Sequence, residues 1–207
     1  NAPLDDAGHA WHACQAAIEM QAALSRLSDT WEAEGLARQQ MRIGVNTGPA
    51  SVGNMGSTRR FAYTALGDTV NLAARLEPLN NEYGTRICIS QATYEAARER
   101  GPLLVRQLDL VAVKGKHSAV AVLELLGRAD DSALVARYAP VLEAFNRAME
   151  LYQAQQFDAA AEAFGDAARS TADGVDLPSL MYIERCRELS LHPPGADWDR
   201  VFVMTHK

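Results

Sequence analysis

The stretch that decides the fold runs from Arg42 to Glu77 and reads RIGVNTGPASVGNMGSTRRFAYTALGDTVNLAARLE. Its first part predicts short strands, because apolar residues alternate with polar residues or glycine and turn-forming residues separate the runs. The predicted strands cover 41–45, 51–53 and 61–66. Gly67 ends the last strand, and Asp68 is the predicted N-cap of a helix that runs to about Leu79. Strands that lead through a glycine into a helix indicate a mixed fold.

The sequence on both sides of this stretch completes the pattern. Apolar residues at helical spacing before it predict one long amphipathic helix, with Asp5 or Asp6 as its N-cap. The predicted core-facing residues form two rows: Trp11, Cys14 and Ile18, and Ala17, Met20, Leu24, Leu27 and Trp31. Strands are predicted after it at 87–89, 103–110 and 120–126, and a helix at 91–100 that Ser90 caps. The predicted fold class is therefore α+β.

From Leu134 onward the pattern predicts helices only, rich in alanine. The polar segment 128–132 lacks periodicity and reads as a linker. We therefore divide the chain into residues 1–127 and a C-terminal tail, residues 128–207.

The composition excludes several classes of protein. The chain has 207 residues, of which 48% are hydrophobic and 22% charged, and its net charge of −6 argues against a nucleic-acid binder. No apolar run reaches membrane-spanning length. Three widely spaced cysteines favour a reducing cytoplasm over a disulfide framework. Since the chain starts at Asn1 without a methionine, we expect a longer cytoplasmic protein, with tethering to the inner membrane by upstream segments as an alternative.

Asn71 and Arg75 are the first candidate site residues. They are four positions apart on the predicted helix and so share one face, while Leu72, Leu76 and Leu79 form a neighbouring apolar face. The planar fork of arginine suits phosphate oxygens, and an asparagine amide can orient a sugar or a water. On its own, the pair is better explained as a solvated helix face with an incidental arginine.

The whole stretch resembles the class III adenylyl and guanylyl cyclases of the bacterial type. The resemblance is carried by Arg42-Ile43-Gly44 with Asn46 and Gly48, by Gly53, Gly56 and Tyr63, and by GDTVNLAARLE at 67–77. It continues through Glu82-Tyr83-Gly84-Thr85, Ile89-Ser90 and the loop Val113-Lys114-Gly115-Lys116, and covers roughly the first 126 residues. It implies a ferredoxin-like sheet covered by helices, working as a homodimer that completes its active sites between two chains.

The resemblance also implies roles for four residues. Asn71 would orient the ribose of ATP, and Arg75 would stabilise charge on the α-phosphate while cyclic AMP and pyrophosphate form. Lys114 would hold the terminal phosphates. Thr64 falls where the family reads the purine, and threonine there is typical of a bacterial subgroup of adenylyl cyclases.

The family uses two Mg²⁺ or Mn²⁺ ions, held by two aspartates on strands that precede the long first helix. We expect those strands, and the lysine that helps to read adenine, to lie upstream of Asn1. No metal ligand is assigned in this chain, since Asp5 and Asp6 are explained as helix caps and His9, His12 and Cys14 complete no tetrahedral set. The isolated chain is therefore expected to be inactive.

The tail partly resembles a tetratricopeptide repeat. Its small and aromatic positions match at Ala148, Leu151, Ala160, Phe164 and Ala167. A single repeat cannot bury its own faces, so the tail is expected to pack on the first 127 residues or to bind a protein partner. Three other functions remain open: a guanylate cyclase, an inactive cyclase-homology module for dimerisation or regulation, and a tail that acts mainly as an adaptor.

Overall fold

The computed structural model of the protein describes residues 4–57, 60–112, 119–171, 174–195 and 197–203. Its helices are α1 (His9–Ala33), α2 (Asp68–Tyr83), α3 (Gln91–Arg98), α4 (Ser132–Gln153), α5 (Phe157–Arg169) and α6 (Leu177–Leu191). Its strands are β1 (Ile43–Val45), β2 (Ser51–Ser57), β3 (Arg60–Leu66), β4 (Ile87–Ser90), β5 (Leu103–Ala112), β6 (Ala119–Arg128) and β7 (Val201–Val203). Strands and helices mix up to β6 and helices predominate after it, which confirms the α+β class.

Five strands form one mixed sheet in the order β1-β4-β6-β5-β7. β1 runs parallel to β4, with Ile43 opposite Ile87, and β7 runs parallel to β5, with Val201 opposite Leu110. β6 is antiparallel to both of its neighbours, β4 and β5. All residues of β4 are buried, and this short strand lies inside the sheet between β1 and β6.

Helices cover both faces of the sheet. α1 and α3 cover one face, where they pack against Ile87 and Ile89 of β4. α2 covers the other face, where Leu76, Leu79 and Tyr83 pack in one cluster with Cys88 of β4. Successive strand side chains point to opposite faces, so β4 contributes to both cores.

The tail packs on the same face of the sheet as α2. Its three helices share a core with five aromatic residues, namely Phe145, Tyr152, Phe157, Phe164 and Tyr182. Met181 of α6 lies against the cluster formed by α2, and β7 adds to the edge of the sheet. The prediction that the tail packs on the first 127 residues is therefore confirmed. The prediction of helices only was wrong at β7, which is too short for a recognisable period.

Two of the predicted helix caps were wrong. Gly67 occupies the N-cap position of α2 and Asp68 is the first helical residue. Gly8 occupies that position in α1, while Asp6 accepts a hydrogen bond from the Gly8 amide at 2.8 Å. The third cap is confirmed, because the Ser90 hydroxyl accepts a hydrogen bond from the amide of Thr93.

The core-facing rows predicted for α1 are confirmed only in part. Cys14 is fully buried, and Trp11 and Ile18 pack against the same core. Met20 and Leu27 from the second row are half-exposed, because no described element covers that side of the helix. Within the described ranges, no helix combines the length and the apolar character needed to cross a bilayer.

Candidate functional site

Helix α2 carries two of the predicted site residues, and glycines set both of its ends. Gly67 precedes it with φ 145° and Gly84 follows it with φ 67°. Residues that carry a Cβ atom rarely adopt these conformations. Its fully buried residues are Leu76, Leu79, Asn80 and Tyr83. The helix is therefore anchored through its C-terminal half.

α2 lies unusually close to β1. A Cβ atom on Gly44 would come within 2.8 Å of the Ala73 carbonyl oxygen, and closer still to the Glu77 amide nitrogen. Hydrogen bonds join the same two elements: the Asn80 side-chain amide donates to the Ile43 carbonyl at 3.0 Å. Gly44 is therefore required by the packing of α2 against β1.

The N-terminal half of α2 presents the predicted catalytic residues. Asn71 is exposed and Arg75 is half-buried, one turn further along the helix. The Asn46 side-chain amide, just after β1, donates to the Thr69 carbonyl at 2.9 Å and secures the first turn. An amide and a guanidinium thus stand together on a helix held by its opposite end.

Thr64 lies on β3, which runs into α2 through Gly67. It is exposed, and it pairs with Gly53 in the antiparallel hairpin formed by β2 and β3. The structure therefore places Thr64, Asn71 and Arg75 on two consecutive elements. Lys114 lies outside the described residues, and the roles of all four residues stay predictions.

The β2–β3 hairpin forms an arm outside the main sheet. Its strands pair only with each other among the described residues. Phe61 is 67% exposed and Tyr63 57%, and both lie on the same face of the arm as Val52. The arm therefore presents an apolar surface that no other described element covers. Two-stranded hairpins are marginally stable in water on their own.

A buried carboxylate at the C-terminal end of α2 was missed by sequence reasoning. The Tyr83 hydroxyl donates a hydrogen bond to Asp109 Oδ2 at 2.7 Å, and Arg185 Nη1 donates to the same oxygen at 2.6 Å. Burial, followed by the negative charge of Asp109, raises the pKa of Tyr83 well above its usual value. The sequence signal was a charged residue at a core position of the predicted strand 103–110.

Two clefts lie away from the predicted residues. One, of about 630 Å³, lies between α1 and α2, and the other, of about 770 Å³, lies between α6 and the end of α2. Neither is lined by Thr64, Asn71 or Arg75. The predicted site residues therefore occupy an open surface rather than either of these clefts.

The described residues do not fit a catalytic metal site. No group of three or more histidine, cysteine, aspartate or glutamate side chains is arranged to hold an ion in the part of the chain that the structure describes. Asp6 bonds to His12 Nδ1 at 2.8 Å, which accounts for both side chains.

The chain has relatives among known proteins. The sequence profile of the adenylate and guanylate cyclase catalytic domain matches residues 5–124. Adenylate cyclase 1 of Rhizobium meliloti is 38% identical over 127 residues, which are 61% of this chain and 19% of that protein. The terminal-differentiation-specific adenylate cyclase of Dictyostelium discoideum is 34% identical over 177 residues, which are 84% of this chain and 8% of that protein.

A solved structure agrees at the level of the fold. The crystal structure of the guanylyl cyclase Cya2 superposes with a TM-score of 0.53 and 34% identity, covering 64% of this chain and 65% of that one. The similar proteins therefore include two named adenylate cyclase and one named guanylyl cyclase. The chain spans a fifth or less of the length of the two adenylate cyclases.

Proposed function

Because the chain belongs to the adenylate and guanylate cyclase catalytic domain family, we propose that it forms part of an adenylate cyclase converting ATP to cyclic AMP and pyrophosphate. The observation that carries the proposal is the shared face of Asn71 and Arg75 on α2, a helix anchored in the sheet by its other half. In this reaction the ribose 3′-oxygen forms a bond to the α-phosphorus. The bond from the α-phosphorus to the bridging oxygen breaks, pyrophosphate leaves with the electron pair of that bond, and the 3′-hydroxyl proton passes to the solvent.

The chain's own residues would act on charge and orientation. Arg75 would donate hydrogen bonds to the α-phosphate oxygens, where negative charge changes most in the transition state. Asn71, one turn away, would hold the ribose so that its 3′-oxygen faces the phosphorus. A rigid helix suits both tasks, because small displacements of such donors reduce the rate strongly.

The metal ions that the family implies would supply charge neutralisation on the phosphates. The described residues do not fit such ions. We propose instead that their ligands belong to the upstream strands of a longer protein, which would pair with the open edge of β1. β1 has a hydrogen-bonded neighbour, β4, on one side only among the described residues.

Thr64 supports ATP as the substrate. It is exposed on β3, which leads into the catalytic helix. Its hydroxyl can donate or accept, so it could bond to the amino group of adenine or to the oxygen of guanine. The preference for ATP rests instead on the resemblance, because threonine at this position is typical of a bacterial subgroup of adenylyl cyclases. GTP stays the alternative substrate, because the similar structure Cya2 is a guanylyl cyclase.

We also propose that a second copy of the chain completes the site. Phe61 and Tyr63 expose a large apolar surface on an arm outside the main sheet. Burying these two rings against another chain would remove them from water and bring that chain to the hairpin that carries Thr64.

The test compares two proteins with two nucleotides. The full-length protein that contains this chain is assayed with ATP and with GTP, and so is the 207-residue chain alone. We expect cyclic AMP from the full-length protein, a higher kcat/KM for ATP than for GTP, and no product above a no-enzyme control from the isolated chain. A higher kcat/KM for GTP would overturn the ATP assignment, and absence of both products would favour an inactive homology module.

A further inference from the structure

The tail reaches the catalytic helix through α6. One face of this helix lies on the sheet, where the Tyr182 hydroxyl donates to the Leu108 carbonyl at 2.5 Å. One turn further on, Arg185 donates to Asp109 although 76 positions separate them in sequence. The Arg185 guanidinium lies between two rings, 4.8 Å from Tyr182 and 4.5 Å from Phe202. Two rings of the tail thus lie beside Arg185 where it contacts Asp109.

Asp109 joins three elements at a single oxygen. Its Oδ2 atom accepts from Tyr83 at the end of α2 and from Arg185 on α6, while Oδ1 accepts from the backbone amide of Leu110 on β5. The side chain of Asp109 is 3% exposed and that of Arg185 15%. Buried charge pairs lose much of their stabilising free energy when their geometry changes. This contact therefore depends on the relative positions of α2 and α6.

α2 is anchored mainly through its C-terminal half. Apart from the first-turn bond from Asn46, the fully buried contacts of the helix lie between Leu76 and Tyr83. Asn71 lies three turns before Tyr83 and is exposed. A small rotation of the helix at Tyr83 therefore displaces the side chains that would contact the nucleotide.

We propose that Tyr83, Asp109 and Arg185 are positioning residues for the cyclase reaction, through which the docked tail holds α2 in its productive orientation. This proposal rests on the proposed function of Asn71 and Arg75. The tail thereby contributes to full turnover through this contact, and loss of the contact changes the rate of the chemical step rather than the binding of the nucleotide.

Two buried tyrosines provide a matched pair for the test. Tyr83 and Tyr182 are both fully buried, and each donates its hydroxyl to an acceptor on β5, but Tyr83 does so from α2 and Tyr182 from α6. Tyr83→Phe and Tyr182→Phe each remove one oxygen atom and keep the ring. In the full-length protein we expect Tyr83→Phe to lower kcat about 3- to 10-fold at unchanged KM, the effect of one hydrogen bond. Tyr182→Phe is expected to keep kcat within about twofold.

Hydrogen exchange of the full-length protein, measured without nucleotide, separates this proposal from the proposed function. We expect amides of residues 68–83 to exchange faster in Tyr83→Phe than in Tyr182→Phe, whether or not the protein makes cyclic AMP. Equal exchange and equal kcat in the two variants would overturn the positioning role. Altered exchange with no cyclase activity in the wild-type protein would uphold the coupling of the tail to α2 and refute the proposed function instead.

A second pair of variants distinguishes a positioning role of Arg185 from a purely stabilising one. Arg185→Gln breaks the contact to Asp109, and Arg106→Gln breaks buried ion pairs with Asp176 of the tail and Glu124 of the sheet, neither of which involves α2. Under the proposal, kcat of the folded fraction falls for Arg185→Gln and not for Arg106→Gln. If both variants lose activity only in proportion to their unfolded fraction, Arg185 is a stabilising residue and the proposal is wrong.

Discussion

Arg106 on β5 donates hydrogen bonds to both carboxylate oxygens of Asp176, at 2.9 and 2.8 Å, across 70 positions of sequence. Asp176 in turn caps α6, because it accepts from the amide and the hydroxyl of Ser179. Arg106 also contacts Glu124 on β6 at 3.0 Å, and the ring of Phe145 lies 4.7 Å from its guanidinium. One buried arginine thus joins the sheet to two helices of the tail.

Replacing Arg106 by alanine should destabilise the protein by about 3–5 kcal/mol, the cost of leaving buried carboxylates without their cation. Although burial by itself would lower the pKa of Arg106, the carboxylates of Glu124 and Asp176 raise it, so the guanidinium stays charged in the folded chain. Urea unfolding followed by circular dichroism measures the loss. The matched control is Arg169→Ala, which breaks an ion pair with Asp166 that is about three-quarters exposed and should change stability by less than about 1 kcal/mol. Similar unfolding midpoints for the two variants would contradict the prediction.

Gly44 should tolerate no side chain. Since a Cβ atom there would collide with the backbone of α2 at Ala73 and Glu77, Gly44→Ala must push the helix away from β1. We expect a loss of about 1–3 kcal/mol, the range for overpacked cores. Gly53→Ala is the control, because no atom lies within 4 Å of its added Cβ. Equal thermal midpoints for the two variants would show that α2 does not depend on this close approach.

The three buried thiols should make the protein sensitive to alkaline pH. Burial raises the pKa of Cys14 from 9.0 to about 11, and that of Cys88 and Cys186 to about 12. The unfolded chain loses these protons near pH 9 while the folded chain keeps them. The contribution of the protonated thiols to the free energy of unfolding is therefore complete below pH 9 and is lost as the pH rises through 11 and 12.

Alkylation by iodoacetamide at pH 9 tests the state of these thiols, because only the thiolate reacts. We expect the native chain to react much more slowly than the chain unfolded in urea. Replacing all three cysteines by alanine should also reduce the dependence of the unfolding free energy on pH between 9 and 12. Equal alkylation rates in the native and the unfolded chain would show that the thiols are accessible.

Most elements could be predicted because their signals are local. The period of 41–45, the glycine before α2 and the Ser90 cap each depend on residues close in sequence, and each predicted an element that the structure contains. The same local signals placed Thr64 on a strand and Asn71 with Arg75 on one helix. The assignment of chemistry to these residues came from the family resemblance, since the spacing of Asn71 and Arg75 alone also fits a solvated face.

The contacts that dock the tail could not be predicted, because their partners are distant in sequence. Arg106 and Asp109 are charged residues within the predicted strand 103–110, but nothing local identifies Asp176 or Arg185 as their partners. β7 was missed for a related reason. A strand of three residues has too short a period, and its pairing with β5 is set by the docking of the whole tail.

Asn71→Ala and Arg75→Ala should each lower kcat of the full-length protein by about 100- to 1000-fold, with a much smaller effect on nucleotide binding. The reason is that a donor aimed at charge that develops only in the transition state contributes to the chemical step rather than to the ground state. Steady-state assays with ATP, together with circular dichroism to verify the fold, provide the measurement.

The chain offers matched controls for both substitutions. Asn81 is a second exposed asparagine on α2, with a single long contact of 3.5 Å from Arg42, and Arg98 is an exposed arginine on α3 paired with Glu95. Asn81→Ala and Arg98→Ala should keep kcat within about twofold, because neither side chain lies on the face that Asn71 and Arg75 share. If Asn71→Ala or Arg75→Ala retained more than half of the wild-type kcat, the role assigned to that residue would be wrong. If the control variants fell as far as the site variants, the loss would reflect a disturbed helix α2 or fold rather than missing catalytic groups.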